Sequence, residues 1–143
     1  MRYLLDVNVL IALIDPSHVS HLRTHTWFAA TGHVAWASCP LTQNAVVRIL
    51  GRSSYPNSPG TPAAVLPYLQ GLCNLPGHQF WPDELSLFDT KHFHARHLLS
   101  PEQVTDTYLL ALARANQGKL ATLDKKIVTN AVHEGPAALH LIK

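Results

Sequence analysis

The chain has 143 residues, of which 47% are hydrophobic, so it can bury a sizeable core within a single domain spanning residues 1–143, and intrinsic disorder is excluded. Eleven Lys and Arg against nine Asp and Glu leave a net charge of +2, too little to hold nucleic acid by bulk charge. Charged residues are only 14% of the chain, so acids that converge on one place are informative.

Cys39 and Cys73 form no Cys-x-x-Cys or Cys/His ligand pattern, which excludes a disulfide framework and fits a reducing cytosol. The ten histidines add charge only in mildly acid conditions. No apolar run reaches the roughly 18 residues that a membrane span needs. Asp6 and Asp15 interrupt the apolar N-terminus, and no small-residue cleavage site follows, so a signal peptide is not expected. A soluble, cytoplasmic protein is expected.

Tyr3–Leu5 suits a short strand buried on both faces. Val7–Ile14 suits a buried helix that Pro16 stops. Asp15 is expected to cap a second helix, with Pro16 at its first position, Gly32 past its end, and Val19, Leu22, Thr26 and Ala29 along one stripe. Val34–Ala37 reads as a second strand, and Pro40 opens a helix over about Leu41–Leu50. Gly51–Thr61 is a Gly/Ser/Pro-rich loop. Pro62 starts a helix that ends near Cys73. Gln79–Trp81 reads as a third strand, and Asp89–Leu98 as a helix. Ser100, Pro101 and Gln103 make the clearest helix start, a capping box with proline at the first position. That helix runs to about Gln117, with Gly118 as C-cap. Lys119–Leu123 and Leu139–Ile142 complete five strands. Strands that alternate with helices define an α/β class with a parallel sheet.

In such a sheet the site lies at the carboxyl ends of the strands. Asp6 follows the first strand and Asp124 the fourth. Asp106 sits near the start of the capped helix, 18 residues before Asp124, so it belongs to the same edge. Gln43 lies in the first turn of the helix after the second strand. Three carboxylates in one cleft repel each other, and a hard divalent cation relieves that repulsion; oxygen ligands without Cys or His favour Mg²⁺ or Mn²⁺. Such an ion can neutralise a phosphodiester and activate water. Taken alone, Asp6 reads as an ordinary cap or turn residue; three independent acids that meet on one edge favour a site.

Four segments resemble, in order, the motifs of PIN-domain nucleases, above all the VapC-type toxins of bacterial toxin–antitoxin pairs. They are Leu4-Leu5-Asp6-Val7-Asn8-Val9-Leu10; Pro40-Leu41-Thr42-Gln43-Asn44 with Arg48; Val104-Thr105-Asp106-Thr107-Tyr108-Leu109; and Leu120-Ala121-Thr122-Leu123-Asp124. The resemblance implies a PIN-like three-layer fold with a five-stranded parallel sheet, a Mg²⁺- or Mn²⁺-dependent endoribonuclease, and a cognate VapB-type antitoxin. It implies that Asp6, Asp106 and Asp124 hold the metal, and that Asn8 and Thr105 steady the site.

Gln43 departs from the family, which usually has Glu there. Glutamine keeps the shape and one acceptor oxygen but loses the anion. A natural three-acid enzyme, a weakened or silent PIN domain that acts by binding antitoxin or RNA, and an introduced Glu-to-Gln replacement all accommodate it. The lost charge implies weak metal binding and slow cleavage.

Other clusters read less specifically. His18, His21 and His25 are spaced for one helix face and one Zn²⁺, though a solvated face is the better reading. Lys91-His92-Phe93-His94-Ala95-Arg96-His97 is spaced to hold RNA phosphates with Phe93 stacked on a base; a solvated helix with Phe93 in the core is preferred. Lys125 and Lys126, beside Asp124, are candidate RNA-phosphate ligands or a plain surface pair. Arg48 is placed either to orient Gln43, to reach the scissile phosphate, or to make a structural contact. Trp27, Trp36 and Trp81 read as core or interface residues. Ala63–Leu72 reads as core, or as a face for a second copy or an antitoxin. The scarcity of polar surface leads us to expect a homodimer.

Overall fold

The structure, a computed structural model, describes residues 1–143. Five short parallel strands form one sheet: β1 (Tyr3–Leu5), β2 (Trp36–Ser38), β3 (His78–Phe80), β4 (Lys119–Thr122) and β5 (Leu139–Leu141), in the order β3-β2-β1-β4-β5. β1 is central, with Leu4 beside Ala37 on one side and Leu120 on the other. The chain builds outward through β2 and β3, then returns to the far side of β1 as β4, so the strand order reverses at the carboxyl ends of β1 and β4.

Alternate strand residues point to opposite faces and so feed two separate cores. Leu4, Ala37 and Leu120 pack against α5 (Val104–Ala115), with Phe93, Val132 and Trp81. Leu5, Trp36 and Ala121 pack on the other face, against α1 (Val7–Ile14), α2 (His21–Ala30), α3 (Pro40–Leu50) and α4 (Pro62–Cys73). The result is the expected three-layer α/β arrangement. Trp36 is fully buried and Trp81 is 5% exposed, as core tryptophans.

Three local expectations fail. α2 begins at His21, not after Pro16, because Asp15 ends α1 instead of opening a helix. Its carboxylate accepts from the Ser17 N–H at 2.9 Å and from the Tyr55 hydroxyl at 2.5 Å, and residues 16–20 form turns. The buried residues of α2 are Thr24 and Phe28, while Val19 and Leu22 are 96% and 78% exposed, so the anticipated stripe faces outward. Gly32 does follow the helix end, as expected, just past the C-cap Thr31, and it packs closely: a Cβ there would stand 2.6 Å from the Trp27 ring.

Asp89–Leu98 is not a helix, because tertiary pairing overrides local propensity. Phe93 forms an antiparallel bridge with Val132, the His94 N–H donates to the Ala131 carbonyl at 2.8 Å, and the His133 N–H donates to the His92 carbonyl at 3.1 Å. Only Ala95–His97 makes a single 3₁₀ turn. Finally, the Ser100–Gln103 capping box forms, but it caps a 3₁₀ turn that leads into α5. α5 ends at Ala115, and Gln117, not Gly118, takes the left-handed conformation at φ 57°. Gly118 serves close approach: a Cβ there would meet the Arg2 carbonyl at 2.5 Å.

Candidate active site

Asp6 is the N-cap of α1 at the end of β1. One carboxylate oxygen accepts from the Val7 N–H at 2.8 Å, and the other accepts from the Thr122 hydroxyl at 2.8 Å. The same Thr122 oxygen accepts from the Asp124 N–H at 3.1 Å, so one hydroxyl on β4 ties together the two acids that follow adjacent strands. Asp124 is exposed, two residues beyond β4, and its carboxylate accepts from the Lys126 N–H at 2.8 Å. Asp106 lies in the first turn of α5, partly exposed.

The three acids share one electrostatic neighbourhood. Burial pushes the Asp6 carboxyl above its ordinary value, and the Asp124 charge adds to the rise; hydrogen bonds from Thr122 and Val7 oppose it. Burial, then the charges of Asp6 and Asp124, push Asp106 up to about 6. The ion pairs of the protein, Arg114–Glu134 and His92–Asp89, involve none of the three. As the side chains lie, no three acid, imidazole or thiol groups stand close enough to form a ready-made metal cage. The fit to a hard cation is therefore one of charge and donor type: oxygen donors, mutual repulsion and no protein cation to relieve it.

Gln43 is engaged elsewhere. Its side-chain amide donates to the Ser38 hydroxyl at 3.0 Å, and Ser38 Oγ lies 2.7 Å from His78 Nε2 and 3.8 Å from Cys73 Sγ. Gln43 also lines a cavity with Leu66, Leu69, Gln70 and Cys73, on the side of α4. No hydrogen bond joins it to an aspartate. Burial holds the His78 imidazole below its ordinary value, with the Arg2 charge adding to the depression.

The remaining predicted residues divide by position. Asn8, on the first turn of α1, and Thr105, on the first turn of α5, are exposed at the carboxyl edge. Arg48 does not orient Gln43; it lies on another face of α3 and lines a cavity with Asn44, Asp83 and Thr105. Lys125 and Lys126 are exposed beside Asp124. Phe93 is 5% exposed in the core, which closes it to base stacking. The three histidines do not share a helix face: His18 precedes α2 and accepts the Ser20 N–H at its Nδ1, and His21 Nδ1 is held 2.6 Å from the Ala12 carbonyl.

Sequence reasoning missed Thr122, Ser38, His78 and Asp83. For Thr122 and Ser38 a signal existed, a hydroxyl residue in an otherwise apolar buried strand. For Asp83, whose carboxylate accepts the Leu41 N–H at 3.0 Å across 42 residues, there was none.

No protein-family model matches the chain. Individual relatives do. Ribonuclease VapC44 of Mycobacterium tuberculosis is 43% identical over 141 residues, 99% of this chain and 98% of that protein. Ribonuclease VapC39 of the same organism is 37% identical over 92% of this chain and 94% of its own length, and ribonuclease VapC38 is 35% identical over 97% and 96%. Among solved structures, VapBC2 from Rickettsia felis, bound to a DNA fragment from its promoter, superposes with a TM-score of 0.59. That match spans 88% of this chain and 90% of the other at 14% identity, a likeness of fold. Identity above a third along nearly the whole of both chains, on this sheet order, makes the chain a member of the VapC ribonuclease family.

Proposed function

We propose that this chain is a metal-dependent endoribonuclease toxin that cuts RNA phosphodiester bonds and is neutralised by a cognate VapB-type antitoxin. The observation that carries the reading is the set Asp6, Asp106 and Asp124 at one edge, with Asp6 and Asp106 raised in pKa by burial and by neighbouring acids and none of the three paired with a protein cation, in a chain whose relatives are named ribonucleases. Those names favour catalysis over a silent binding role for the domain. Mg²⁺ or Mn²⁺ bound at the three carboxylates would supply the positive charge that a phosphodiester and an attacking water need.

The chain's own residues do the positioning. The Val7 N–H and the Thr122 hydroxyl hold Asp6 in one orientation, and the Thr122 hydroxyl also anchors the backbone of Asp124. Asp106 comes from the opposite layer, on the first turn of α5. Asn8 and Thr105 flank the acids, and the exposed Lys125 and Lys126 would meet RNA phosphates.

The antitoxin reading is supported by the likeness to a VapBC complex. Val19 and Leu22, apolar side chains turned outward, support a homodimer or antitoxin contact. No helix is long and apolar enough to cross a membrane, consistent with action in the cytoplasm, where RNA is at hand. The test is cleavage of a mixed RNA pool with Mn²⁺ and with EDTA. Cleavage that is lost in EDTA and in Asp6→Asn supports the reading. Undiminished cleavage by Asp6→Asn, or none by the wild type at any metal concentration, overturns it.

A further inference from the structure

Positions 41, 44, 45 and 48 share one face of α3, spaced three or four apart. This face is separate from the buried stripe of Thr42, Val46 and Leu50 and from Gln43, which meets α4, although Leu41 also packs partly against the core. It borders a cavity of about 330 Å³ that Asp83 and Thr105 also line. Thr105 is the neighbour of Asp106 on the first turn of α5, so the cavity opens beside the acid cluster. Its volume falls in the range of small-molecule sites, which begins near 300 Å³.

The lining carries one free cation and one anion. Arg48 is exposed and forms no ion pair. Asp83 accepts the Leu41 N–H at one oxygen, at 3.0 Å, and lies beside the Cys39 thiol; a carboxylate has about four acceptor sites, so lone pairs remain for a ligand. Pro40 and Leu41 give apolar surface, and the Asn44 amide offers both a donor and an acceptor.

We propose that this cavity is a nucleotide subsite, resting on the ribonuclease reading, that takes one guanosine of single-stranded RNA next to the cleaved bond. Opposite charges orient the nucleotide. The Arg48 guanidinium takes the phosphate, which the Asp83 carboxylate repels. The base therefore lies toward Asp83. Guanine alone among the four bases presents two adjacent N–H donors on its Watson–Crick edge, with a carbonyl acceptor beside them. The donors match the Asp83 carboxylate and the acceptor matches the Asn44 amide, while Pro40 and Leu41 cover the ring face. Arg48 and Asp83 are thus specificity-determining residues, separate from the metal-holding acids.

The experiment measures binding without chemistry. Fluorescein-labelled uridine hexamers that carry one guanosine, adenosine or cytidine are titrated by anisotropy in EDTA. Wild type should prefer the guanosine hexamer by about tenfold, the discrimination of one good bidentate contact. Asp83→Asn keeps the acceptor for the Leu41 N–H but loses the anion, and should erase that preference. Arg48→Gln should weaken all three hexamers about tenfold and lower the salt slope by about 0.7, the share of one phosphate contact on a single strand. Equal affinity of wild type for the three hexamers, or unchanged affinity and salt slope in Arg48→Gln, overturns the subsite. Cleavage of the RNA pool with Mn²⁺ is followed in parallel. Cleavage that persists with no guanosine preference sinks the subsite alone; neither binding nor cleavage of any RNA sinks the ribonuclease reading with it.

Discussion

The two sides of the carboxyl edge solve the same problem in opposite ways. Around β1 and β4, Asp6 and Asp106 are desolvated by burial, and with the exposed Asp124 they are left without a cation. Around β2 and β3, Gln43, Ser38 and His78 form a neutral hydrogen-bonded chain against α4. The first arrangement stores electrostatic repulsion that a cation relieves; the second is already satisfied. A frustrated cluster beside a satisfied one shows where ligand binding is expected, and it places Gln43 in the scaffold more than among the acids.

The largest effect should come from removing an acid. Asp6→Asn is expected to lower RNA cleavage by at least about 100-fold. It should leave the melting temperature of the metal-free protein the same or higher, because a desolvated, repelled charge disappears. A melt beside a single-turnover cleavage assay reads both. A drop in stability would mean that the hydrogen bonds from Val7 and Thr122 outweigh the repulsion.

Asp106 gives a signed pH effect. Its folded pKa, about 6, exceeds the unfolded value, so the folded state binds the proton more tightly. Its contribution is favourable at low pH and is lost as pH rises from about 4 through 6. Two units correspond to at most about 3 kcal/mol, and partial exposure with screening brings this nearer 1 kcal/mol. Urea unfolding in EDTA at several pH values should show this slope, and Asp106→Asn should flatten it. Added Mn²⁺ should remove it by stabilising the charged form.

Thr122→Ala breaks the link between Asp6 and Asp124. Loss of the donated hydrogen bond should raise the Asp6 pKa further and cost about 1 kcal/mol. We expect cleavage to fall about tenfold, mostly through weaker divalent binding, visible by calorimetry. Equal metal affinity would mean that Asp6 is held adequately by Val7 alone.

Gln43→Glu tests the division most directly. A carboxylate cannot donate to Ser38, so Ser38 must turn its proton toward it and give up His78 Nε2 as acceptor. We expect a loss of about 1 kcal/mol without metal and a higher His78 pKa by NMR. If the new carboxylate swings toward the aspartates, Mn²⁺ affinity and cleavage rate rise together. If both stay at the wild-type values, three aspartates suffice and Gln43 is structural.

The strand–helix alternation, the two-faced core and the edge that carries Asp6, Asp106 and Asp124 were legible because they rest on local signals. Buried strands are short apolar runs, prolines mark helix starts, and an acid that directly follows a strand can only stand at its carboxyl end. What residues 89–98 do was not legible: the Phe93–Val132 bridge links them to a segment some forty residues away, and that pairing outweighs helix propensity. The outward face of Val19 and Leu22 was hidden for a similar reason, since an apolar stripe does not state which side the sheet lies on. Nor did the motif around Gln43 reveal its partners, because an amide takes whichever acceptor packing presents, and here that is Ser38 on β2. The sequence by itself determined the architecture and which acids share an edge. Only the tertiary structure decided that Thr122 joins two of them, that Gln43 turns toward α4, and that Arg48 and Asp83 line one cavity, since each depends on contacts between elements whose spacing no local pattern encodes.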